Sequence, residues 1–352
     1  MTKNIIKCTH CLLGTGYTSM IASYLLKQKG IESLIIGLTN KNTSFEIQLS
    51  KCSISPLPIL PITNTLLYKR LNFSELGPHS FLNSSFSESK NFDISEYEVK
   101  EGSLAEFLIN NPSQLKAFGL SLKQWGSSIF SKPFTEVQNK IKRNYLSGNN
   151  SRVGYHNGFS LYYYLLQKSF YNIRRIKKID RIDYQNKIVY GHDIEIHYEK
   201  LVSSIPINHL LSYCNLNFSE PLVYQGSYFL YFTHTSSYSA NKIIYDCDLF
   251  SIILRIFSAS DTSIIVQVSS FNDIQRKMPI ISKRVSELIP ALKEIKFENK
   301  MFLPMSYPIE PITNTKTLES ISSLKEFSLF PIGRFANWEY KDLHELNWEI
   351  IF

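Results

Sequence analysis

Gly14, Gly16 and Ser19 stand at the spacing G-x-G-x-x-S in "LLGTGYTSM". Small residues so spaced suit one chemistry, the binding of a diphosphate. A first glycine permits a tight turn after a strand, and a second lets the backbone approach the phosphates. A third small residue lets the next helix pack closely on the strand. The elements needed to position them are present in order. "IIKCTHCLL" is apolar enough for a buried parallel strand, "MIASYLLKQKG" carries apolar residues at helical spacing, and "IESLIIG" is a second apolar strand. That is one β-α-β unit. Its helix, starting near Tyr17, turns free N–H groups and a partial positive charge of ~0.5 toward the phosphates.

A dinucleotide site of this kind ends its second strand in Asp or Glu, which binds the ribose hydroxyls roughly 20 residues beyond the glycines. Gly37 stands there instead, and "LTNKNTS" after it has no glycine. A charge-assisted hydrogen bond contributes about 1.5–3 kcal/mol, so its loss weakens binding about ten- to a hundredfold without abolishing it. Asn40 and Asn42 are the nearby uncharged groups able to substitute.

Other chemistry-bearing residues organise less well. Cys8 and Cys11 form C-x-x-C, a redox or metal spacing, but they lie in the apolar run of the first strand and no second ligand pair exists. They are read as buried strand residues. The five cysteines are too scattered for a disulfide framework and fit a reducing compartment. His192 and His197 have no partners at metal spacing, so no metal is expected. A net charge of +8 and pI near 9.0 invite a nucleic-acid reading, as do "IKRNY" and "IRRIKKIDR". Those cations interleave with isoleucine as on a solvated strand or helix face, and no nucleic-acid motif accompanies them. Attraction for a small anionic substrate stays open. The 352 residues, 43% hydrophobic and 19% charged, describe an ordered globular chain, either one large two-lobed protein or two intertwined domains. No apolar run approaches the ~20 residues of a membrane span and no secretory signal is evident, so a cytoplasmic protein is expected.

The far end of the chain carries a more specific pattern. "SLFPIGRFANWEYKDLHELNWEI" reads as a short strand, a turn at Gly333, aromatic residues and a helix from about Asp342. It resembles the C-terminal segment of flavin-dependent amine-oxidase-like proteins, in particular the branch of UDP-galactopyranose mutases and protoporphyrinogen-oxidase-like proteins. Gly333, Arg334, Phe335, Trp338 and Tyr340 are the matching positions. "SRVGYHNGFSLYYYLLQKSF", with Gly154 and Gly158, is similar to that family's glycine-containing turn and helix. The stretch from "NIRRIKKIDRIDYQNKIVY" to Ser203, Ser204, Ile205 and Pro206 is similar to its strand, hairpin and I-S-T-I-P element, and "SYPIEPI" to its Tyr-Pro segment.

The resemblance implies an α/β protein with a discontinuous Rossmann-like FAD-binding domain, residues 1–55, 151–212 and 312–352. A substrate lobe, 56–150 and 213–311, is inserted into it. Gly14, Gly16, Tyr17 and Ser19 would serve the diphosphate, the backbone near Ile179 the adenine, and Gly333 with Arg334 the ribityl and diphosphate. Phe335, Trp338 and Tyr340 would wall the isoalloxazine or pack as ordinary core. The terminal helix would point its N-terminus at the pyrimidine edge. The chain departs from the pattern at Gly37, in the missing glycines beyond it and at His344.

In the lobe, 101–146 shows helical periodicity broken at Pro112, Gly126 and Pro133, and 222–270 consists of β-branched and aromatic runs of an antiparallel sheet. "NDIQRKMPIISKRVSELIPALKEI" returns to helix, and 83–95 is expected to be a mobile loop. Arg255, a cation in an apolar strand that matches a recurrent arginine of the family, binds an anionic substrate group or lies at an edge. Tyr155 and Asn157 are further substrate candidates, and His156 is the candidate acid or base. Two functions remain. One is an FAD oxidoreductase acting on a small metabolite, or a mutase-like isomerase of a nucleotide sugar. The other is a non-catalytic relative serving as a binding or partner subunit.

Overall fold

The computed structural model describes residues 4–38, 47–48, 53–54, 74–75, 80–82, 102–112, 115–138, 153–154, 172–236, 243–246, 248–269, 273–339, 341, 343 and 346–352. The chain forms two compact units, one of Met1–Phe45, Phe159–Val223 and Glu310–Phe352, the other of Glu46–Gly158 and Tyr224–Ile309.

The chain opens with β1 (Asn4–Leu13), α1 (Tyr17–Gln28) and β2 (Ser33–Leu38). It enters the second unit through the short strands β3 (Ile47–Gln48), β4 (Ser53–Ile54), β5 (Ser74–Glu75) and β6 (Ser80–Leu82). Helices α2 (Leu104–Asn110) and α3 (Leu115–Trp125), a 3-10 helix (Ser127–Ser131), a helical turn over 134–138 and β7 (Val153–Gly154) follow. Back in the first unit come β8 (Ile173–Ile176), β9 (Ile179–Asp183), β10 (Ile188–Gly191), β11 (Ile194–Ser203) and α4 (Ile207–Tyr213). The second unit then adds β12 (Tyr224–Thr233), β13 (Ile243–Asp246), β14 (Ile253–Ser260), β15 (Ser263–Ser269), α5 (Ile274–Leu288) and β16 (Lys296–Pro308). The first unit closes with α6 (Thr315–Glu326), β17 (Leu329–Pro331) and a 3-10 helix (Trp348–Ile351).

In the first unit, β8, β2, β1 and β11 lie side by side and parallel. Strand β11 is long enough to have two neighbours on its other edge. Its first half pairs antiparallel with β10, which continues the hairpin to β9, and its last residues pair parallel with β17. The apolar ends of the parallel strands make the core, with Cys11, Leu12, Leu13, Ile35, Ile36, Leu201 and Val202 almost wholly buried. Helix α1 covers them through Met20, Ile21, Leu25 and Leu26, each such side chain contributing about 1.5–3 kcal/mol by burial.

In the second unit, six strands run in the order β16-β12-β15-β14-β13-β6, antiparallel except for β13 with β6. Alternation divides the sheet's residues between its faces. One set, Leu230, Phe232, Ile256, Ile264, Val266 and Val268, joins Ile274, Met278, Ile281, Val285 and Leu288 of α5 in one apolar cluster. The helical stretch breaks near the expected points. Ser103 and Glu106 form a capping box at the start of α2, and Gly126, with φ +74°, ends α3. Phe107 stacks on Phe134 at 4.0 Å. The expected helix from Asp342 is corrected in part. Asp342 itself lies outside the described residues, and from Leu346 onward the chain forms only the four-residue 3-10 helix, which Asn347 caps through Glu349 N–H. The loop expected at 83–95 also lies outside the described residues.

A buried ion cluster fixes the turn between β13 and β14. Asp246 receives two 2.9 Å hydrogen bonds from Arg284 of α5. Lys123 of α3 donates to the carbonyls of Asp246, Asp248 (3.0 Å) and Ile253 (2.7 Å). Burial pushes the Asp246 carboxyl up, but Arg284 and Lys123 together outweigh it and hold the group below the usual carboxylate range. Asp246→Asn is therefore expected to destabilise the chain by about 3–5 kcal/mol at neutral pH. In the parent chain the Asp246 contribution is complete above the unfolded-state value of about 3.9 and is lost as pH falls through the lower folded value. Urea denaturation at pH 7 and pH 3 will show a smaller acid-side loss in the variant.

Candidate functional site

The turn after β1 is shaped by a lack of room. Gly14 has φ +113°, donates its N–H to Ile36 O at 2.9 Å, and would place a Cβ 2.4 Å from Ser204 Oγ. Ser204, just beyond β11, donates to Leu13 O at 3.1 Å, and its hydroxyl lies 2.8 Å from that of Ser19. Ser19 is thereby buried in the junction between α1 and the end of β11. Among the described residues its hydroxyl is committed to packing rather than presented to a ligand. Gly16 caps α1 in an extended conformation (φ −77°, ψ 176°), and no side chain caps that end. The positive end of the helix dipole is left to an anion. The Tyr17 side chain is buried, so that residue offers its backbone to such an anion.

The C-terminal segment reaches the same place. Pairing of β17 with β11, continued by Ile332 N–H to Ser203 O at 2.8 Å, sets Gly333 against the first turn of α1. Gly333 has φ +107°, and a Cβ there would sit 3.0 Å from Thr18 Oγ1. Arg334 is held by its Nε to Lys341 O at 3.3 Å, and Phe335 O accepts Ile207 N–H at 3.0 Å. Trp338 is 1% exposed at φ +52°, its ring 6.0 Å from that of half-buried Phe335. Trp338 is a core residue here. Gly14, Gly16 and Gly333, the last followed directly by Arg334, thus meet at the start of α1, although Gly14 and Gly333 stand 319 positions apart in the sequence. Tyr340, His344, Tyr155, His156 and Asn157 lie outside the described residues.

The FAD implied by the resemblance would meet two different environments. At the diphosphate end the fit is good: the helix end lacks a side-chain cap and two positive-φ glycines border it. At the ribose end it is not. Gly37 is buried in β2, and a Cβ there would lie 2.5 Å from the Thr15 methyl. No side chain fits at residue 37 while Thr15 stays where it is. Beside Gly37 in the parallel register is Arg175 of β8, an exposed cation. Ile179 begins β9, is buried, and pairs with Gly191 of β10, while the end of β2 pairs with β8.

In the second unit, Arg255 is tied into the sheet and not left with its head in solvent. Its Nε donates to Gln267 Oε1 at 2.6 Å, and Gln267 Nε2 donates to Ser227 Oγ at 3.1 Å and Tyr307 OH at 2.8 Å. Four strands contribute to this line. Sequence inspection found Arg255 because a cation interrupts an apolar run, whereas Gln267, Ser227 and Thr15 are ordinary polar residues whose weight comes from their neighbours. Cys8 and Cys11 of β1 share a hydrogen bond that lowers the first thiol and, with burial, raises the second. Burial also raises Tyr198. Among the described residues no helix is long and apolar enough to cross a membrane.

No protein-family model matches the sequence, and no curated protein is similar to it. Solved structures share its fold. A reduced UDP-galactopyranose mutase aligns over 97% of this chain and 90% of its own, with TM-score 0.68 and 14% identity. An oxidoreductase from Methanosarcina mazei aligns over 96% and 98%, with TM-score 0.64 and 11% identity. A putrescine oxidase with bound putrescine aligns over 84% and 85%, with TM-score 0.54 and 10% identity. At such identities the likeness is one of fold, and the chain has the mixed α/β fold of these enzymes, with the parallel strands β8, β2, β1 and β11 in its first unit.

Proposed function

We propose that the chain is a flavoprotein that binds FAD and acts as an oxidoreductase on a small, anionic metabolite. The observation that carries this reading is the meeting of Gly14, Gly16 and Gly333 at the uncapped start of α1. Backbone N–H groups there would hold the diphosphate, and the two strained glycines would let the chain approach it without side chains intervening. A bound flavin supplies hydride and electron transfer; the chain supplies orientation and a site sheltered from water. Phe335 would border the ring system, and Arg255, its fork oriented by Gln267, would hold a carboxylate or phosphate of the substrate. Tyr155 and Asn157 would add substrate contacts, with His156 as the candidate acid or base. Mutase-like isomerisation of a nucleotide sugar is the reading favoured by the 97% coverage against the mutase, and it predicts activity that needs prior reduction yet consumes no net electrons. The blocked ribose position favours a third reading, a non-catalytic subunit that binds a protein partner.

An absorption spectrum separates the catalytic readings from the last. Purified protein, as isolated or after incubation with FAD, is expected to show flavin bands near ~450 nm. Colourless protein that cannot be reconstituted would remove the enzymatic reading. Gly333→Ala, which forces a Cβ toward Thr18 at a backbone angle costing about 1–3 kcal/mol, is expected to weaken FAD binding by about tenfold or more in a fluorescence titration. Unchanged affinity would place the diphosphate elsewhere.

A further inference from the structure

We propose that Thr15 and Gly37 act as one determinant that leaves the adenosine ribose unclamped, so that FAD is held chiefly by its diphosphate and exchanges with free FAD. The inference rests on the reading that the glycine loop holds a dinucleotide, and it concerns how firmly. Thr15 sits between the two glycines of the loop and is 4% exposed. Its methyl lies 2.5 Å from where a Cβ of residue 37 would be, well inside the distance real side chains tolerate. Gly37 itself is in β2, hydrogen-bonded in register beside Arg175, so the strand cannot simply draw back. Rotating a buried β-branched side chain to make room would sacrifice its present packing. The missing carboxylate is therefore more than one substitution away. A residue at 37 and the residue at 15 compete for one volume, and in this chain Thr15 holds it.

Two consequences follow for the ligand. The diphosphate end is unaffected, because Gly14 and Gly16 keep the turn and the helix end. Among the described residues, position 37 supplies none of the charge-assisted hydrogen bonds that a carboxylate there would make to the diol, a loss of about ten- to a hundredfold in affinity. A cofactor held in this way enters and leaves as a co-substrate does. A carboxylate introduced at 37 would have Arg175 as its cross-strand neighbour, which favours its ionised form.

The test is a double-substitution cycle on the full chain: wild type, Thr15→Ala, Gly37→Glu and the two combined, each titrated with FAD by quenching of flavin fluorescence and melted in parallel. Thr15→Ala alone supplies no carboxylate and is expected to bind FAD no more tightly than wild type. Gly37→Glu alone is expected to melt lower and bind no more tightly. The combination is expected to bind about ten- to a hundredfold more tightly than wild type. If Gly37→Glu alone tightens binding as much as the pair, Thr15 is no obstacle and the proposal fails. It fails too if the folded double variant is no tighter than wild type. Binding by none of the four would overturn the dinucleotide reading as well, which separates the two failures. Should the double variant not fold, dialysis of FAD-loaded wild type decides: complete exchange with labelled FAD supports the proposal, and retention overturns it.

Discussion

The first unit depends on a close approach at one point, where the end of β11 meets the beginning of α1 over a residue with no side chain. Ser204 bridges Leu13 O and the Ser19 hydroxyl, and the space it leaves at Gly14 admits a hydrogen atom and nothing larger. Three separate pieces of chain are bound through that junction: β1 with its turn, the strand returning at 194–203, and β17, whose pairing with β11 delivers Gly333 to the same helix end. Hydroxyl groups suit the purpose. Each is short enough to fit under a helix and can both donate and accept, so the Ser19 and Ser204 hydroxyls satisfy one another and Leu13 O without a charge. An alanine at residue 14 would force this contact apart and adopt a backbone angle that L-residues avoid, with both effects falling on the turn that shapes the helix start.

How much of this was legible in the sequence depended on whether the signal was local. The β1-α1-β2 unit announced itself because strand, glycine turn and helix follow each other within 38 residues, and each pattern has a single physical cause. The short helices of 102–138 were equally readable, since Pro112, Gly126 and Pro133 fall at the joins between them. Ile179 was harder. Its strand looks like a continuation of β8, but only two residues separate them and the chain changes partner there, from β2 to the β10 hairpin. No pattern within "IRRIKKIDR" encodes that change; it is set by which edge of β11 remains open. The terminal segment misled for a related reason. "DLHELNWEI" has helical spacing, yet its described end closes as a 3-10 turn, with Trp348 donating its indole N–H back to Leu343 O at 2.8 Å. Tertiary anchoring of one large side chain outweighs a weak propensity over a few residues.

The least legible feature was the relation between Thr15 and Gly37. Each residue is unremarked by itself, and the gap at the ribose position reads in sequence as a simple loss. Geometry turns it into an exchange, because the volume a carboxylate would occupy is filled by a methyl from the neighbouring loop. A filled volume differs from an empty one in energetic terms. An empty site can regain a side chain at the cost of that side chain's own ordering, whereas a filled one must also displace close-packed atoms, and interiors packed at crystal-like density resist that.

The sheet of the second unit raises the same question of cost from the polar side. Phe229, Tyr231 and Ile265 are as buried as the residues facing α5, yet Gln267 among them is fully buried and spends every hydrogen-bonding group of its amide on Arg255, Ser227 and Tyr307. Leucine or methionine at 267 would bury more apolar surface and strand no polar atom of its own, so on stability alone the amide is a poor choice. What the amide accomplishes is orientational. It accepts from Arg255 Nε and so sets the plane of the guanidinium. The network thus spends stability to set the direction of one cation, and four strands of the second unit, β12, β14, β15 and β16, each contribute a side chain to it.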